Sequence, residues 1–286
     1  MFYAEFALGP QLSRYVQTIW VFESKVADGA GDMQRIVPDG HPELILHYGD
    51  LFHEQADAVD QQCAKNPIQQ SRILFAGQIS RPLILEPGAA CGVIGVRFRP
   101  AAASALLGFG MHEATDTRLD MLDVWGRAGE NLVDQVHSQR NSADRVAVIR
   151  QYLIRKLDVN LTLPDALVTG CVDLLQRSAG QVSIDALARR AGLSGRQLER
   201  RFLHHVGVPP RLLASIFRFR RVFESIEQGA MPSARWTAAA LQTGYFDQAH
   251  MNRDFKRFAG LPPQAFYRGL GGLSAAMIGL AEPDNS

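Results

Sequence analysis

The C-terminal part of the sequence contains an internal repeat, which restricts the fold more than any other feature. Residues 194–209 and 247–262 align at a constant offset of 53 positions. Each copy follows a glycine turn with a capping residue and then a polar helix that carries an arginine and a phenylalanine. This is the layout of a helix-turn-helix, whose second helix enters a DNA groove. The identical pairs are Arg200 and Arg253, Phe202 and Phe255, Gly207 and Gly260, and Pro209 and Pro262.

The pattern around the repeat predicts an all-α domain with two helix-turn-helix units joined by a long helix. Ser183 and Ser194 are expected to cap the two helices of the first unit, and Asp247 the recognition helix of the second. A long helix starting at Pro209-Pro210 is expected to connect the units, and a supporting helix is expected over 236–242. Two units in one domain indicate contacts with two successive major-groove segments.

The charge distribution indicates a polyanionic partner for this domain. Residues 165–270 contain 15 Lys and Arg against eight Asp and Glu, whereas residues 1–164 contain 15 against 19. Nine arginines and a single acid, Glu199, fall within 189–221. A basic half on a chain of net charge +1 is typical of nucleic-acid binding.

The N-terminal half has a different pattern. Short runs rich in β-branched and aromatic residues, such as 15–22, 43–48 and 93–98, alternate with Gly and Pro, which predicts a small β-barrel or sandwich. After Arg99-Pro100 the period becomes helical, and Ser142 can cap a longer helix. We therefore expect mostly β structure with trailing helices.

Together these patterns predict an α+β multidomain protein. The expected divisions are an N-terminal sensor or dimerisation domain at 1–158, a linker at 159–165, a DNA-binding domain at 166–270 that closes with a helix after Pro262-Pro263, and a tail at 271–286.

Composition excludes several classes of protein. A chain of 286 residues is long enough for two domains. Cys63, Cys91 and Cys171 lie far apart without CxxC spacing, which argues against a disulfide framework or a zinc knuckle. No signal peptide or membrane-spanning run is recognisable, so we expect a cytoplasmic protein that is nucleoid-associated when bound to DNA, with no membrane partner.

Residues 166–270 resemble the DNA-binding domain of the AraC/XylS transcriptional regulators over its whole length. The first unit carries the resemblance at Gly192-Leu193-Ser194, Arg196, Leu198, Arg200, Phe202, Gly207 and Pro209, and the second at 244–250, Arg253, Phe255-Lys256, Phe258, Gly260, Pro262-Pro263 and Tyr267-Arg268. Residues 37–40, 43–45 and 95–100 are similar to a sensor domain found ahead of such regulators. The resemblance implies a one-component regulator that senses a small molecule or a partner and binds double-stranded promoter DNA. It also implies contact with RNA polymerase if the protein is an activator.

The outward faces of the two recognition helices supply the candidate DNA contacts. Arginine suits bidentate contact with guanine, and glutamine or asparagine with adenine. Glu199, an acid among the arginines, could select cytosine or adjust the local electrostatic potential. The base-contact candidates are Arg196, Gln197, Glu199, Arg200, Gln248, His250, Asn252 and Arg253. The phosphate-contact candidates are Arg189, Arg190, Arg201, Arg218, Arg220, Arg221 and Lys256, some of which could instead bind acids within the protein.

Other motifs give weaker signals. His41, Glu43 and His47 flank one predicted strand and resemble a cupin-type metal cluster, with His53 nearby. However, no HxH pair is present and Gly40-His41-Pro42 is typical of a turn, so we expect no metal and no cofactor. There is also no GxSxG, HExxH or catalytic cysteine context, so we expect no enzyme.

Three functions remain open at this point. The first is a ligand- or partner-responsive transcription factor, which the repeat favours. The second is an enzyme with an attached DNA-binding domain, such as an alkyl-transfer repair protein, but such proteins need a cysteine set that this chain lacks. The third is a regulator whose N-terminal domain only mediates dimerisation or protein contact. Helices after residue 120 are candidate elements of a homodimer.

Overall fold

In the computed structural model, the described residues are 1–25, 33–55, 67–160, 162–227, 244–263 and 265. The predicted supporting helix at 236–242 and the tail at 271–286 lie outside these residues, as does most of the predicted closing helix. None of the helices in the described part is long and apolar enough to cross a membrane.

Two antiparallel sheets form the N-terminal half. The strands are β1 (Phe2–Phe6), β2 (Val16–Lys25), β3 (Gln34–Ile36), β4 (Glu43–His47), β5 (His53–Glu54), β6 (Ile68–Gln69), β7 (Ile73–Ala76), β8 (Leu83–Glu86), β9 (Ala90–Phe98) and β10 (Arg118–Asp120). The larger sheet has the order β1-β2-β9-β4-β7-β10, and the smaller has the order β3-β8-β5-β6.

The central strands of the larger sheet are buried on both faces. Successive side chains of a strand point to opposite faces, so one strand contributes to two separate clusters. On β2, Trp20 and Phe22 join a cluster with Leu85 of the smaller sheet. Ile19 and Val21 of the same strand face the opposite way and belong to a second cluster that includes the trailing helices. The N-terminal domain is therefore a two-sheet structure with helices on the outer face of the larger sheet, which confirms the predicted fold class.

The helices after residue 100 form two groups. The first group comprises α1 (Ala103–Leu107), a 3-10 helix at Met111–Ala114, α2 (Met121–Trp125), α3 (Arg127–His137) and α4 (Ser142–Asn160). The second comprises α5 (Ala166–Arg177), α6 (Ile184–Arg190), α7 (Gly195–His205), α8 (Pro210–Glu227) and α9 (Gln248–Ala259). Helix α4 extends to Asn160, into the segment expected as a linker.

Helix α8 belongs to both helix-turn-helix units. Leu213 and Phe217 pack with Leu198 and Phe202 of α7 in the core of the first unit. Ile216, Phe219 and Val222 of the same helix pack with α9 in the core of the second. The relative position of the two units is therefore set by one continuous helix.

The N-terminal domain contacts the C-terminal ends of both recognition helices. Near the end of α7, the Thr115 hydroxyl donates to the carbonyl of Gly207 at 2.7 Å. At the end of α9, the Arg35 guanidinium donates to the carbonyl of Ala259 at 3.0 Å. Val37 is buried in the core of the second unit. These contacts therefore join the two domains near the C-terminal ends of the recognition helices.

Candidate DNA-binding surface and internal cavity

The first recognition helix, α7, starts with a capping box. The Ser194 hydroxyl accepts from the backbone N–H of Gln197 at 3.3 Å, and the Gln197 side-chain oxygen accepts from the N–H of Ser194 at 2.9 Å. Both bonds satisfy donors that a helix N-terminus leaves unpaired. Leu198 and Phe202, four residues apart, are fully buried and fix which face points outward. Arg196, Gln197, Glu199 and Arg200 are exposed on the other face.

The second recognition helix, α9, has the same construction. The Asp247 carboxylate accepts from the backbone N–H of His250 at 2.6 Å. Met251, Phe255 and Phe258 are fully buried. The exposed candidates of this helix are Gln248, Asn252, Arg253 and Lys256, while His250 is half-buried with its ring against Tyr245.

The candidate phosphate-contact arginines lie in two environments. Arg189, Arg190 and Arg221 are exposed, and Arg221 also lines the cleft between the domains. The other three are at least partly buried. Arg201 bonds the Asp165 carboxylate at 2.9 Å, Arg218 donates to the carbonyl of Gly180 at 2.8 Å, and Arg220 lines a cleft of about 510 Å³ between the domains.

Asp165 has a role that the sequence analysis did not assign. Its carboxylate caps α5 by accepting from the N–H groups of Leu167 and Val168, and it also binds Arg201 and His205. Burial would raise the pKa of Asp165, but these hydrogen bonds and the neighbouring cations lower it. The capping role could have been predicted, because Pro164-Asp165 directly precedes a helical pattern. The contact with Arg201 of α7 spans 36 residues and leaves no local pattern in the sequence.

A cavity of about 80 Å³ lies inside the N-terminal domain. Since one water molecule needs about 10–15 Å³ of this kind of volume, the cavity can hold several water-sized groups. Its lining contains both apolar and charged side chains. The apolar residues include Ile36, Ile45, Phe52, Leu74, Leu83, Leu85 and Val93, and the charged or ionisable ones are Arg35, Asp39, His41, Glu43, Arg97 and Arg118.

Arg97 organises charged side chains of this lining. Its Nε donates to Glu43 Oε1 at 2.7 Å, and its Nη2 lies 3.4 Å from Asp39 Oδ2. Burial would raise the pKa of Asp39, but Arg97 and a hydrogen bond with His41 bring it well below its usual range. Burial raises the pKa of Glu43 in spite of the contact with Arg97. Asp39 is therefore the more firmly ionised of the two carboxyl groups.

Arg35 is the cavity cation that also contacts the C-terminal domain. Burial lowers the pKa of its guanidinium. Its Nη1 donates a hydrogen bond to the carbonyl of Ala259, 224 residues away. Arg35 could not be predicted from the sequence, because nothing in the local pattern marks so distant a contact.

His41, Glu43 and His47 have separate partners. His41 binds Asp39, and Glu43 accepts from Arg97 and from the Trp20 indole N–H. His47 is fully buried and its Nε2 lies 3.2 Å from the Gln70 side-chain oxygen. Within the described residues, no group of three or more His, Cys, Asp or Glu is arranged to hold a metal ion.

Comparison with known families finds one match in each half of the chain. Residues 5–120 match a domain of unknown function, DUF6597, and residues 187–269 match a helix-turn-helix domain. The second match covers both repeats. No curated protein matches the sequence.

Solved structures with a similar fold have low sequence identity. ToxT from Vibrio cholerae is 12% identical, with 89% of this chain and 98% of that chain covered and a TM-score of 0.46. A structure of unsaturated fatty acid bound wild-type ToxT from Vibrio cholerae strain SCE256 is 12% identical, with 88% and 95% covered and a TM-score of 0.44. The AraC-like transcriptional activator CuxR is 14% identical, with 84% and 83% covered and a TM-score of 0.30. These scores are too low for a residue-by-residue comparison.

His47 should make the protein sensitive to acid. Burial lowers the pKa of His47 from 6.5 to about 4, so the unfolded chain binds a proton at a higher pH than the folded one. The contribution of neutral His47 to the free energy of unfolding is fully present above pH 6.5. It is lost as the pH falls towards 4, by up to about 1.4 kcal/mol per pH unit.

Chemical denaturation of wild type and His47→Gln at several pH values between 4 and 7 tests this expectation. The variant should show a smaller fall in the free energy of unfolding over this range, whatever its stability at neutral pH. Equal slopes would show that His47 is not responsible.

Proposed function

We propose that this chain, whose C-terminal domain is a helix-turn-helix domain of the AraC type, is a transcriptional regulator that reads one asymmetric promoter site with both recognition helices. The observation that supports it most directly is the exposure of two polar helix faces. Seven of the eight base-contact candidates are exposed, and the eighth, His250, is half-buried. The hydrogen bonds from the N-terminal domain to Ala259 and Gly207 lie at the end of α9 and just beyond the end of α7, away from the N-terminal residues of these helices.

The two faces differ in chemistry. The first presents Arg196, Glu199 and Arg200, and the second presents Gln248, Asn252 and Arg253. Arginine favours guanine, while glutamine and asparagine favour adenine. One monomer should therefore read two unlike boxes, about one helical turn apart, and not an inverted repeat.

Selection from a random DNA library with the purified full chain tests this proposal. We expect enrichment of a non-palindromic site with two boxes whose centres lie about 10 bp apart. An enriched palindrome would contradict reading by one monomer, and the absence of any enriched sequence would contradict sequence-specific binding.

Arg196 and Lys256 should separate base reading from phosphate binding. Arg196→Ala should weaken binding to the selected site by about 1–3 kcal/mol and relax the preference at one base pair. Lys256→Ala should weaken binding to all sequences alike and reduce the slope of log K against log salt by about 1.

Both variants are measured by fluorescence anisotropy on the selected site and on random duplex at several salt concentrations. An equal loss on both duplexes for Arg196→Ala would make Arg196 a phosphate contact. An unchanged salt slope for Lys256→Ala would remove Lys256 from the interface.

For the N-terminal domain we propose sensing of a small molecule with an apolar body and an anionic group. The apolar lining residues suit the body, and Arg35 can pair with the anion. The cavity alone is smaller than ligand pockets of about 300–1,000 Å³. However, Asp39, His41 and Arg97 also line the cleft of about 510 Å³ between the domains, so a ligand could extend from one space into the other.

Arg35 would carry the signal to the second recognition helix. Its guanidinium lines the cavity and also donates to the last carbonyl of α9, so an anion that engages it would compete with the helix. A cationic donor at this position stabilises a helix C-terminus through both the hydrogen bond and the helix dipole. Loss of the contact would free the last turn of α9.

Arg35→Ala should therefore loosen the end of α9 in the full-length protein. A hydrogen bond contributes about 0.5–1.5 kcal/mol, so amide hydrogen exchange over 256–260 should become about two- to tenfold faster. Exchange in α7 should not change. Arg14→Ala, at an exposed arginine of the same domain, is the matched control. Unchanged exchange over 256–260, or an equal rise in the control, would exclude this route.

A further inference from the structure

Position 246 differs from its counterpart in the first helix-turn-helix unit. The repeat offset of 53 pairs Leu193 with Phe246, and each residue directly precedes the cap of its recognition helix. At this position an apolar side chain commonly packs on the fourth helical residue in a hydrophobic staple. The corresponding staple partners are Leu198 in the first unit and Met251 in the second.

The first unit uses this packing and the second does not. Leu193 is half-buried against the cluster that contains the fully buried Leu198. Met251 is also fully buried, but Phe246 is 86% exposed. Among the described residues, Phe246 is the most exposed of the large hydrophobic side chains. Its ring is therefore not needed for the core of the second unit.

The location of Phe246 restricts what could cover it. It precedes the Asp247 cap and lies at the N-terminal end of α9, close in sequence to the exposed Gln248. The N-terminal residues of a recognition helix are those that reach base edges in the major groove. The apolar feature that this groove offers is the C5-methyl group of thymine, which pairs with apolar side chains.

We propose that Phe246 packs against a thymine methyl group in the second box of the DNA site and makes thymine preferred there. This inference rests on the proposed function. It adds an apolar contact to the polar ones predicted on α9. Because the contact removes apolar surface from water without neutralising a phosphate, it should strengthen binding without changing the salt dependence.

A coupled substitution in protein and DNA tests the contact. Deoxyuridine lacks only the methyl group of thymidine, so each thymidine of the selected site is replaced in turn and binding of the intact protein is measured by fluorescence anisotropy. In the wild type, one replacement in the second box should weaken binding about three- to tenfold. Phe246→Ala should weaken binding to the unmodified site by a similar factor. Combining the two should cause little further loss.

Two control variants separate this contact from other effects. Ile68→Ala removes an apolar side chain that is 66% exposed in the N-terminal domain and should leave affinity unchanged. Phe246→Leu should keep most of the thymine preference. The thermal unfolding midpoint of Phe246→Ala should equal that of the wild type, because the ring is outside the core.

The outcomes are distinct. Independent, additive losses from Phe246→Ala and from every deoxyuridine replacement would place the ring against a sugar or elsewhere and overturn the thymine contact. Unchanged affinity for Phe246→Ala would do the same, and a lowered unfolding midpoint would assign the ring a structural role. If the wild type selects no DNA site at all, the proposed function fails together with this inference.

Discussion

The burial of two apolar faces on one helix is the interaction on which the C-terminal domain depends. On α8, Leu213 and Phe217 belong to the core of the first unit, and Ile216 and Phe219 to the core of the second. Both α7 and α9 pack their apolar faces against this shared helix. Because helices in close-packed cores resist small displacements, α8 also fixes the separation of the two recognition helices.

The N-terminal domain contributes side chains to the cores of both helix-turn-helix units. Val37 enters the core of the second unit, and Ala101 enters that of the first. Arg35 and Thr115 bind carbonyls at or beyond the ends of α9 and α7. The N-terminal domain therefore contacts the C-terminal sides of both recognition helices, whereas most of the residues on their outward faces are exposed.

Local sequence patterns predicted much of the fold but few of the contacts between residues that are distant in the sequence. The α+β class, the strand-rich first half and the two recognition helices were predicted because periodicity, caps and glycine turns are encoded within a few residues. The burial of His47, the pairing of Arg201 with Asp165 and the contact of Arg35 with Ala259 were not. Each depends on which distant surfaces meet, and each polar residue alone suits a solvated position equally well. The DNA-contact residues remain predictions.

The sequence by itself determined that two similar helix-turn-helix units follow a β-rich domain, because a repeat of caps and apolar spacings specifies helices locally. It also determined that the outward faces of the units differ. Only the tertiary structure decided how exposed each arginine is and that Arg201 and Arg218 bind groups within the protein. It also decided that Leu193 packs inward while its repeat counterpart Phe246 is exposed. The reason is that exposure depends on the surfaces packed around a residue, and equivalent positions in a repeat can have different neighbours.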